Sequence, residues 1–222
     1  MRQHVNPLSR FFQLPLNLPN VENIFLNYNL PIHLDIGCGR GEFLLELASI
    51  QQGWNHLGLE IRKPLVLSAE SKREKLGLEN ARFFFCNANI SLETWLPSLR
   101  TDQLRRVSIQ FPDPWFKRRH YKRRLLQPSL ILALCSYMKL DSELFIQSDI
   151  FDLFKNMFNL IEASNCFDLQ SKNISSESFQ NPYKVRTERE EYVIKQNLPI
   201  YRKLYIRNSN SISKAINLTK VI

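Results

Sequence analysis

The chain has 222 residues, 44% of them hydrophobic and 11% aromatic, which is enough apolar side chain for one domain with a full core. Its 30 Lys and Arg residues against 21 Asp and Glu residues give a net charge of +9 at pH 7, which favours a polyanion or an anionic membrane surface as partner. Because the sequence has no run of about 18 apolar residues and no apolar core at its start, we expect neither a membrane span nor a secretory leader.

Strand and helix candidates alternate along the chain. The predicted strands span residues 32–36, 56–60, 82–86, 107–111 and 143–147, and the predicted helices span 42–50, 64–76, 92–99, 128–140 and 150–163. This alternation predicts an α/β fold, with a mostly parallel central sheet and helices on both faces. We interpret residues 165–179 mainly as loop.

The four cysteines are scattered and include no C-x-x-C pair. They are Cys38, Cys86, Cys135 and Cys166. The pattern favours reduced core thiols over disulfides or a zinc site, and it predicts a cytoplasmic protein.

A polar residue stands at or just beyond the carboxyl end of each predicted strand. These residues are Asp35, Glu60, Asn87, Asp113 and Asp149. In an open α/β sheet, ligands bind beyond the carboxyl ends of the strands. The pattern therefore predicts one site at this edge of the sheet.

Three glycines, Gly37, Gly39 and Gly41, follow the first predicted strand and permit a tight turn close to a ligand. A dinucleotide fingerprint would have a further glycine where Glu42 stands, and a carboxylate there disfavours a pyrophosphate at the helix start. An adenosine ligand without phosphate fits better, and S-adenosylmethionine is the candidate. Glu60 is placed to accept both ribose hydroxyls. The alternative is that the glycines form only a loop and that Glu60 is a surface acid.

The segment 112–124, P-D-P-W-F-K-R-R-H-Y-K-R-R, combines one acid with a dense run of cations. The cations are Lys117, Arg118, Arg119, Lys122, Arg123 and Arg124. We interpret them as contacts to the phosphates of a nucleic acid, with a solvated surface or a localisation signal as the alternatives.

A second constellation lies at residues 184–192, where Thr187 and either Glu190 or Glu191 would share one face of a helix. Thr187 could cap a helix, with Glu190 closing a capping box. Alternatively, a carboxylate here could accept the N1–H and N2–H donors of guanine, which adenine cannot supply.

Six motifs together resemble the bacterial tRNA (guanine-N7-)-methyltransferase family, over about residues 32–205. They are L-D-I-G-C-G-R-G-E-F (34–43), G-L-E-I-R (58–62), N-A (87–88), F-P-D-P-W-F-K-R-R-H-Y-K-R-R-L (111–125), Q-S-D (147–149) and T-E-R-E…P-I-Y-R (187–202). The motif at 111–125 is highly specific, whereas the glycine motif is generic to methyltransferases. The resemblance implies a Rossmann-like fold and methyl transfer from S-adenosylmethionine to N7 of guanine 46 in the tRNA variable loop.

The resemblance also implies a role for each matching residue. Cofactor binding falls on Asp35, Glu60, Asn87 and Asp113, to which the glycine loop adds Gly37 and Gly39. Substrate binding falls on Lys117, Asp149, Thr187, Glu188, Arg189 and Glu190. Asp113 is the proposed catalytic residue. Phe116 stands where the family usually has proline, and Arg189 where relatives often have an aromatic residue.

The chemistry needs neither a strong base nor a metal, because guanine N7 attacks with its own lone pair. A nicotinamide-linked oxidoreductase and a non-catalytic RNA-binding protein remain as alternatives. We expect a flexible N-terminal segment (1–30) that orders when tRNA binds, a methyltransferase domain (31–208) and a tail (209–222). A monomer and a homodimer are both compatible with the sequence.

Overall fold

The structure is a computed structural model that describes residues 5–170 and 180–211. Within these ranges one sheet contains seven strands in the order β3-β2-β1-β4-β5-β7-β6. The strands are β1 (Ile32–Ile36), β2 (Asn55–Glu60), β3 (Ala81–Phe85), β4 (Leu104–Gln110), β5 (Glu143–Ser148), β6 (Phe167–Leu169) and β7 (Tyr201–Arg207). The first five pair in parallel, and β7 is antiparallel to both β5 and β6. The predicted α/β class with a mostly parallel sheet is confirmed.

Six α-helices cover the sheet within the same ranges. They are α1 (Glu42–Ile50), α2 (Lys63–Lys75), α3 (Ala88–Trp95), α4 (Pro128–Tyr137), α5 (Phe151–Ser164) and α6 (Glu188–Lys195). Short 3-10 segments occupy Arg10–Gln13, Val21–Asn23, Leu96–Ser98 and Arg118–Arg123. Two hydrophobic clusters, one with side chains of α1 and α2 and the other with side chains of α3, α4 and α5, pack against the sheet. Such burial is worth roughly 1.5–3 kcal/mol per large apolar side chain.

The strand order determines where along the sheet a ligand can bind. β1 is hydrogen-bonded to β2 on one side and to β4 on the other, so the direction of strand addition reverses at β1. Asp35 lies level with Gly58 of β2 and Ser108 of β4. The carboxyl ends of β1, β2 and β4 consequently meet around one crevice, where an open α/β sheet binds its ligands.

One predicted helix boundary is corrected, and a short strand is added within a segment predicted mainly as loop. The helix predicted at 92–99 begins earlier, as α3, because the Asn87 side chain accepts from the backbone N–H of Asn89 and caps it. The segment 165–179, predicted mainly as loop, contains β6, a three-residue strand that forms through its pairing with β7. Residues 171–179 and 212–222 lie outside the described residues.

The N-terminal segment contacts the domain. Val21 and Phe25 are buried in the core, and the Trp95 indole N–H donates to the carbonyl of Pro19 at 2.9 Å. The expectation that residues 1–30 order when tRNA binds stays a prediction.

Candidate active site

The glycine loop after β1 turns back towards β2. Gly37, Gly39 and Gly41 all have positive φ, at 86°, 60° and 75°. A Cβ at Gly41 would lie 2.5 Å from the Phe83 ring, so that position requires glycine for close packing. At Gly39, in contrast, nothing lies within 4 Å of such a Cβ, and the backbone there faces open space.

Glu60, at the end of β2, is buried and fully hydrogen-bonded. One carboxylate oxygen accepts from the backbone N–H of Arg62 at 3.0 Å and from its Nε at 2.9 Å. The other accepts from the Gly39 N–H at 3.0 Å and from Arg62 Nη2 at 3.0 Å. Four donors fill the four lone pairs of the carboxylate. A further donor can therefore bind only if the Arg62 side chain, which is 28% exposed, moves away.

Asp35, near the end of β1, is 3% exposed. Its Oδ1 accepts from the Ser108 hydroxyl at 2.6 Å and from the Gln110 amide at 3.3 Å. Burial raises the pKa of Asp35 from 3.8 to about 6, the two hydrogen bonds oppose that rise, and the nearby Glu60 charge adds to it.

Asn87, beyond β3, is held by the N-terminal segment. Its amide nitrogen donates to the carbonyls of Pro7 at 3.2 Å and Phe12 at 3.0 Å. Residues of this segment, among them Val5, line the crevice together with Asp113. The segment therefore forms one wall of the candidate site.

Asp113 follows β4 in a loop with unusual backbone geometry. Phe111 and Trp115, two positions on either side, have φ of 46° and 44°, in the left-handed region that such bulky residues rarely adopt. Positions of this kind persist only where the surrounding structure holds them, and they cluster at functional sites. Here the backbone N–H of Phe111 donates to the carbonyl of Gln147 at 2.8 Å.

The basic stretch forms a 3-10 turn next to this loop. Lys117, Arg118, Arg119 and Lys122 are exposed. Arg123 is half-buried, with its guanidinium 5.0 Å from the centre of the Trp115 ring. Arg124 is 5% exposed, donates to the carbonyl of Pro114 at 3.1 Å and lies over the Tyr121 ring. Since Arg124 holds the loop together from inside, we exclude it from the proposed phosphate contacts.

The downstream constellation supplies a helix cap and an inward-facing acid. The Thr187 hydroxyl accepts from the Glu190 backbone N–H at 3.1 Å, which caps α6. The Glu190 carboxylate does not close a capping box, because it is 1% exposed and points into the protein. It accepts from Arg202 at 2.9 Å, Asn181 at 2.9 Å and Gln147 at 3.2 Å.

The other acids of this region differ in exposure. Asp149, with a side chain 7% exposed, forms an ion pair with Arg189. Arg189 therefore neutralises the charge of Asp149. Glu188, by contrast, is 56% exposed and lies 3.4 Å from the guanidinium of Arg40.

A cleft of about 890 Å³ is lined by seven of the twelve residues predicted for cofactor or substrate binding. Its lining includes Asp35, Gly37, Gly39, Asp113, Thr187, Glu188 and Arg189. Glu60 and Asn87 line an adjoining cavity that shares Gly37 and Asp113 with the cleft. Glu190 and Asp149 lie beneath this surface, and the basic stretch lies beside it.

Sequence reasoning missed the residues that partner the predicted ones. These are Arg40, Arg62, Gln110, Gln147 and Arg202. Four of them lie inside the motifs at 34–43, 58–62, 147–149 and 187–202, and Gln110 directly precedes the motif at 111–125, which was the available signal. Arg62 is two residues from its partner Glu60, whereas the partners of the other four are at least twelve residues away and are brought near by the fold.

Within residues 5–170 and 180–211, the structure contains neither a metal-binding cluster nor a helix that could span a membrane. No three His, Cys, Asp or Glu side chains there are grouped closely enough to hold a metal ion. Over the same part of the chain, no helix is both long enough and apolar enough to cross a membrane.

A family model described as "Putative methyltransferase" matches residues 29–203. The chain is 57% identical to the tRNA (guanine-N(7)-)-methyltransferase of Prochlorococcus marinus (strain MIT 9313), over 98% of this chain and 92% of that one. The chain belongs to the tRNA (guanine-N7-)-methyltransferase family. The methyltransferase is also 55% identical to the protein of the same name from Parasynechococcus marenigrum (strain WH8102), over 95% of this chain and 89% of that one.

Solved structures support the fold of the methyltransferase. One described as "Structure of an antibiotic related Methyltransferase" aligns with a TM-score of 0.57 at 16% identity, over 88% of this chain and 98% of that one. The expected Rossmann-like methyltransferase fold is confirmed. The family membership argues against both alternatives, a nicotinamide-linked oxidoreductase and a non-catalytic RNA-binding protein.

Proposed function

We propose that the methyltransferase transfers a methyl group from S-adenosylmethionine to N7 of guanine 46 in the variable loop of tRNA. The observation that carries this proposal is the position of Asp113, which lines the same cleft as the glycine loop and precedes the exposed cations by four residues. The relatives at 57% and 55% identity are named for methylation of guanine N7 in tRNA. These features support a reaction on a base of a phosphate-rich partner.

The ends of β1 and β2 supply groups that fit S-adenosylmethionine. Backbone can approach a ligand at Gly39, where a Cβ would meet open space. Glu60 would accept the ribose hydroxyls, and Asp35 would place negative charge near a cationic ligand. Asn87 and Asp113 complete the cofactor-binding set that the family resemblance implies. When bound, the cofactor supplies an electrophilic methyl group on a sulfonium sulfur.

Asp113 would act on the guanine. Guanine N7 would attack with its own lone pair, and the departing electron pair would stay with the sulfur, so no residue would have to remove a proton first. The guanine would become cationic. A carboxylate already in place stabilises that charge without reorganisation, and alignment of the reacting atoms lowers the barrier further. Asp113 would therefore orient the base and stabilise the transition state.

Glu188 would read the guanine edge. Its side chain is 56% exposed and lines the cleft, whereas Glu190 is buried and already accepts three donors. Each Glu188 oxygen lies 3.4 Å from Nη1 of the exposed Arg40 and keeps a lone pair for a further donor, so the carboxylate would accept N1–H and N2–H together, and adenine offers no such pair. Glu190 would instead fix the start of α6, on which Thr187 and Glu188 stand. Asp149 and Arg189 would border the base as an ion pair.

The exposed cations would hold the tRNA backbone. Lys117, Arg118, Arg119 and Lys122 lie on one turn beside the cleft, and the half-buried Arg123 adjoins them. Phosphate contacts of this kind supply affinity and position without reading sequence. The four cysteines are free thiols, which supports a cytoplasmic location for this reaction.

The test uses purified protein, S-adenosylmethionine labelled in its methyl group and an unmodified tRNA transcript. We expect label in 7-methylguanosine after nuclease digestion. A matched transcript with adenine in place of guanine 46 should remain unlabelled. Absence of 7-methylguanosine in the first transcript would refute the activity, and label in the second would refute the site.

A further inference from the structure

A row of buried polar side chains connects the two halves of the candidate site. It begins at Asp35 on β1, passes through Gln110 and Gln147 on β4 and β5, and ends at the pair formed by Glu190 on α6 and Arg202 on β7. Each link is a hydrogen bond of 2.8–3.3 Å. The row therefore crosses the sheet from the proposed cofactor side to the proposed guanine side.

The ion pair at one end fixes which way the first amide points. Arginine only donates hydrogen bonds, and an ionised carboxylate only accepts them. The oxygen of Gln147 therefore faces Arg202 Nε, at 3.2 Å, and its NH₂ group faces Glu190 Oε2, also at 3.2 Å. Turning this amide over would set donor against donor and acceptor against acceptor in a buried site, where unmade hydrogen bonds are costly.

The orientation of the Gln147 amide also fixes the orientation of the Gln110 amide. The Gln147 NH₂ group also donates to the Gln110 oxygen at 2.8 Å. Gln110 consequently turns its own NH₂ group towards Asp35, at 3.3 Å. The glutamine nearest to Asp35 thus takes its direction from a residue that does not contact Asp35.

Within the described residues, the other groups near Asp35 are Ser108, His33, Glu60, Cys38 and Tyr183. Ser108 has one hydroxyl hydrogen and gives it to Asp35, so the 3.0 Å contact between Ser108 and His33 has the imidazole as donor. Burial lowers the pKa of His33, which keeps it neutral. The remaining titratable neighbours are Glu60, whose charge opposes ionisation of Asp35, and two neutral groups, the half-buried Cys38 and the buried Tyr183. Gln110 is therefore one of two donors that favour the ionised carboxylate.

We propose that Gln110 and Gln147 are positioning residues that keep Asp35 ionised for cofactor binding, in an orientation dictated by the Arg202–Glu190 pair. The part concerning the cofactor rests on the proposed function. The part concerning Asp35 itself does not, since it is a statement about hydrogen bonds within the free protein. The same row ties the α6 start, with Thr187 and Glu188, to the cofactor side of the cleft.

The first test measures Asp35 in the ligand-free protein. The effect of Asp35→Asn on urea unfolding is followed from pH 4.5 to 8, once in the wild-type background and once in Gln147→Met. Without Gln147, the Gln110 amide is free to turn away, and we expect the pH at which the Asn substitution takes effect to rise by about one unit. Gln110→Met should give the same rise, and adding Gln147→Met to it should give no more.

A matched control is Gln103→Met, at the other end of β4. Gln103 is also buried and also uses both ends of its amide, on Arg100 and Tyr28, but it does not touch the row. We expect it to lower stability without moving the pH profile of Asp35. If Gln147→Met does not fold, Gln147→Asn keeps the amide but shortens it so that it cannot reach Gln110.

The second test measures binding of S-adenosylhomocysteine by calorimetry over the same pH range. Affinity of the wild type should fall as pH drops through about 6, where Asp35 takes up a proton. In Gln147→Met the fall should begin about one pH unit higher. If the pH dependence that is due to Asp35 is unchanged in both tests, the proposed role of Gln110 and Gln147 is wrong. A shifted pH dependence of unfolding without any S-adenosylhomocysteine binding would support that role and refute the proposed cofactor.

Discussion

Replacing Asp35 by asparagine should stabilise the ligand-free protein at neutral pH. Asp35 is 3% exposed, and burial raises its pKa from 3.8 to about 6. A group whose pKa is raised by folding contributes stability below its unfolded pKa and loses that contribution as pH rises through the folded value. The loss, complete above about pH 7, corresponds to roughly 3 kcal/mol. Asparagine keeps the shape of the side chain and carries no charge.

The assay is urea unfolding of wild type and Asp35→Asn, followed by tryptophan fluorescence at several pH values. Other titrating groups are common to both proteins and cancel in the difference. Between pH 4.5 and 8 we expect the variant to gain about 2 kcal/mol of unfolding free energy relative to wild type, since part of the effect lies below pH 4.5. Asp102→Asn is the matched control, because that side chain is 62% exposed.

A pH-independent difference between wild type and Asp35→Asn would refute this reasoning. It would mean that Asp35 has the same proton affinity in the folded and unfolded chain. A gain that grows towards low pH would refute it more strongly, because it would show that the two hydrogen bonds to Asp35 outweigh its burial.

Three further predictions concern turnover and binding. Asp113→Ala should lower turnover at least about 100-fold, measured as 7-methylguanosine formed, while tRNA affinity stays within about twofold. The double variant Arg118→Ala/Arg119→Ala should weaken tRNA binding and make the slope of log affinity against log salt shallower by about 1.5, measured by filter binding. Arg62→Ala should tighten binding of S-adenosylhomocysteine about fivefold in calorimetry, because Arg62 fills lone pairs of Glu60 that the ribose hydroxyls need.

Each of these has a control of the same type. Asp102→Ala, at the far end of β4, should leave turnover unchanged, and equal losses in the two aspartate variants would contradict the role of Asp113. Lys75→Ala/Lys155→Ala removes the same charge from α2 and α5, and a similar change in salt slope there would show that total charge, not the basic turn, binds tRNA. For Arg62 the control is Arg73→Ala, because the Arg73 guanidinium pairs with Glu70. Weaker or unchanged binding of S-adenosylhomocysteine in Arg62→Ala would contradict the idea that ribose hydroxyls replace Arg62 on Glu60.

The sequence alone was sufficient for the elements that repeat a local pattern. β1 and β5 are short apolar runs bounded by turn residues, and such runs are legible one segment at a time. β6 could not be predicted from the sequence, because three residues cannot show a period. The strand forms only through pairing with β7, more than thirty residues later. β7, with the sequence Y-R-K-L-Y-I-R, shows no strict alternation of polar and apolar residues, and its place between β5 and β6 follows from pairing with those strands.

The same division runs through the site. Sequence alone determined the chemical groups at the strand ends, the glycine loop and the run of cations, because residue type and spacing are written locally. Tertiary structure decided what each group can do. It buried Glu190 and Arg124, left Glu188 facing the cleft, and set Arg62 on Glu60. The burial of a side chain and most of its hydrogen-bond partners depend on elements far apart in the chain, so only the folded protein assigns them.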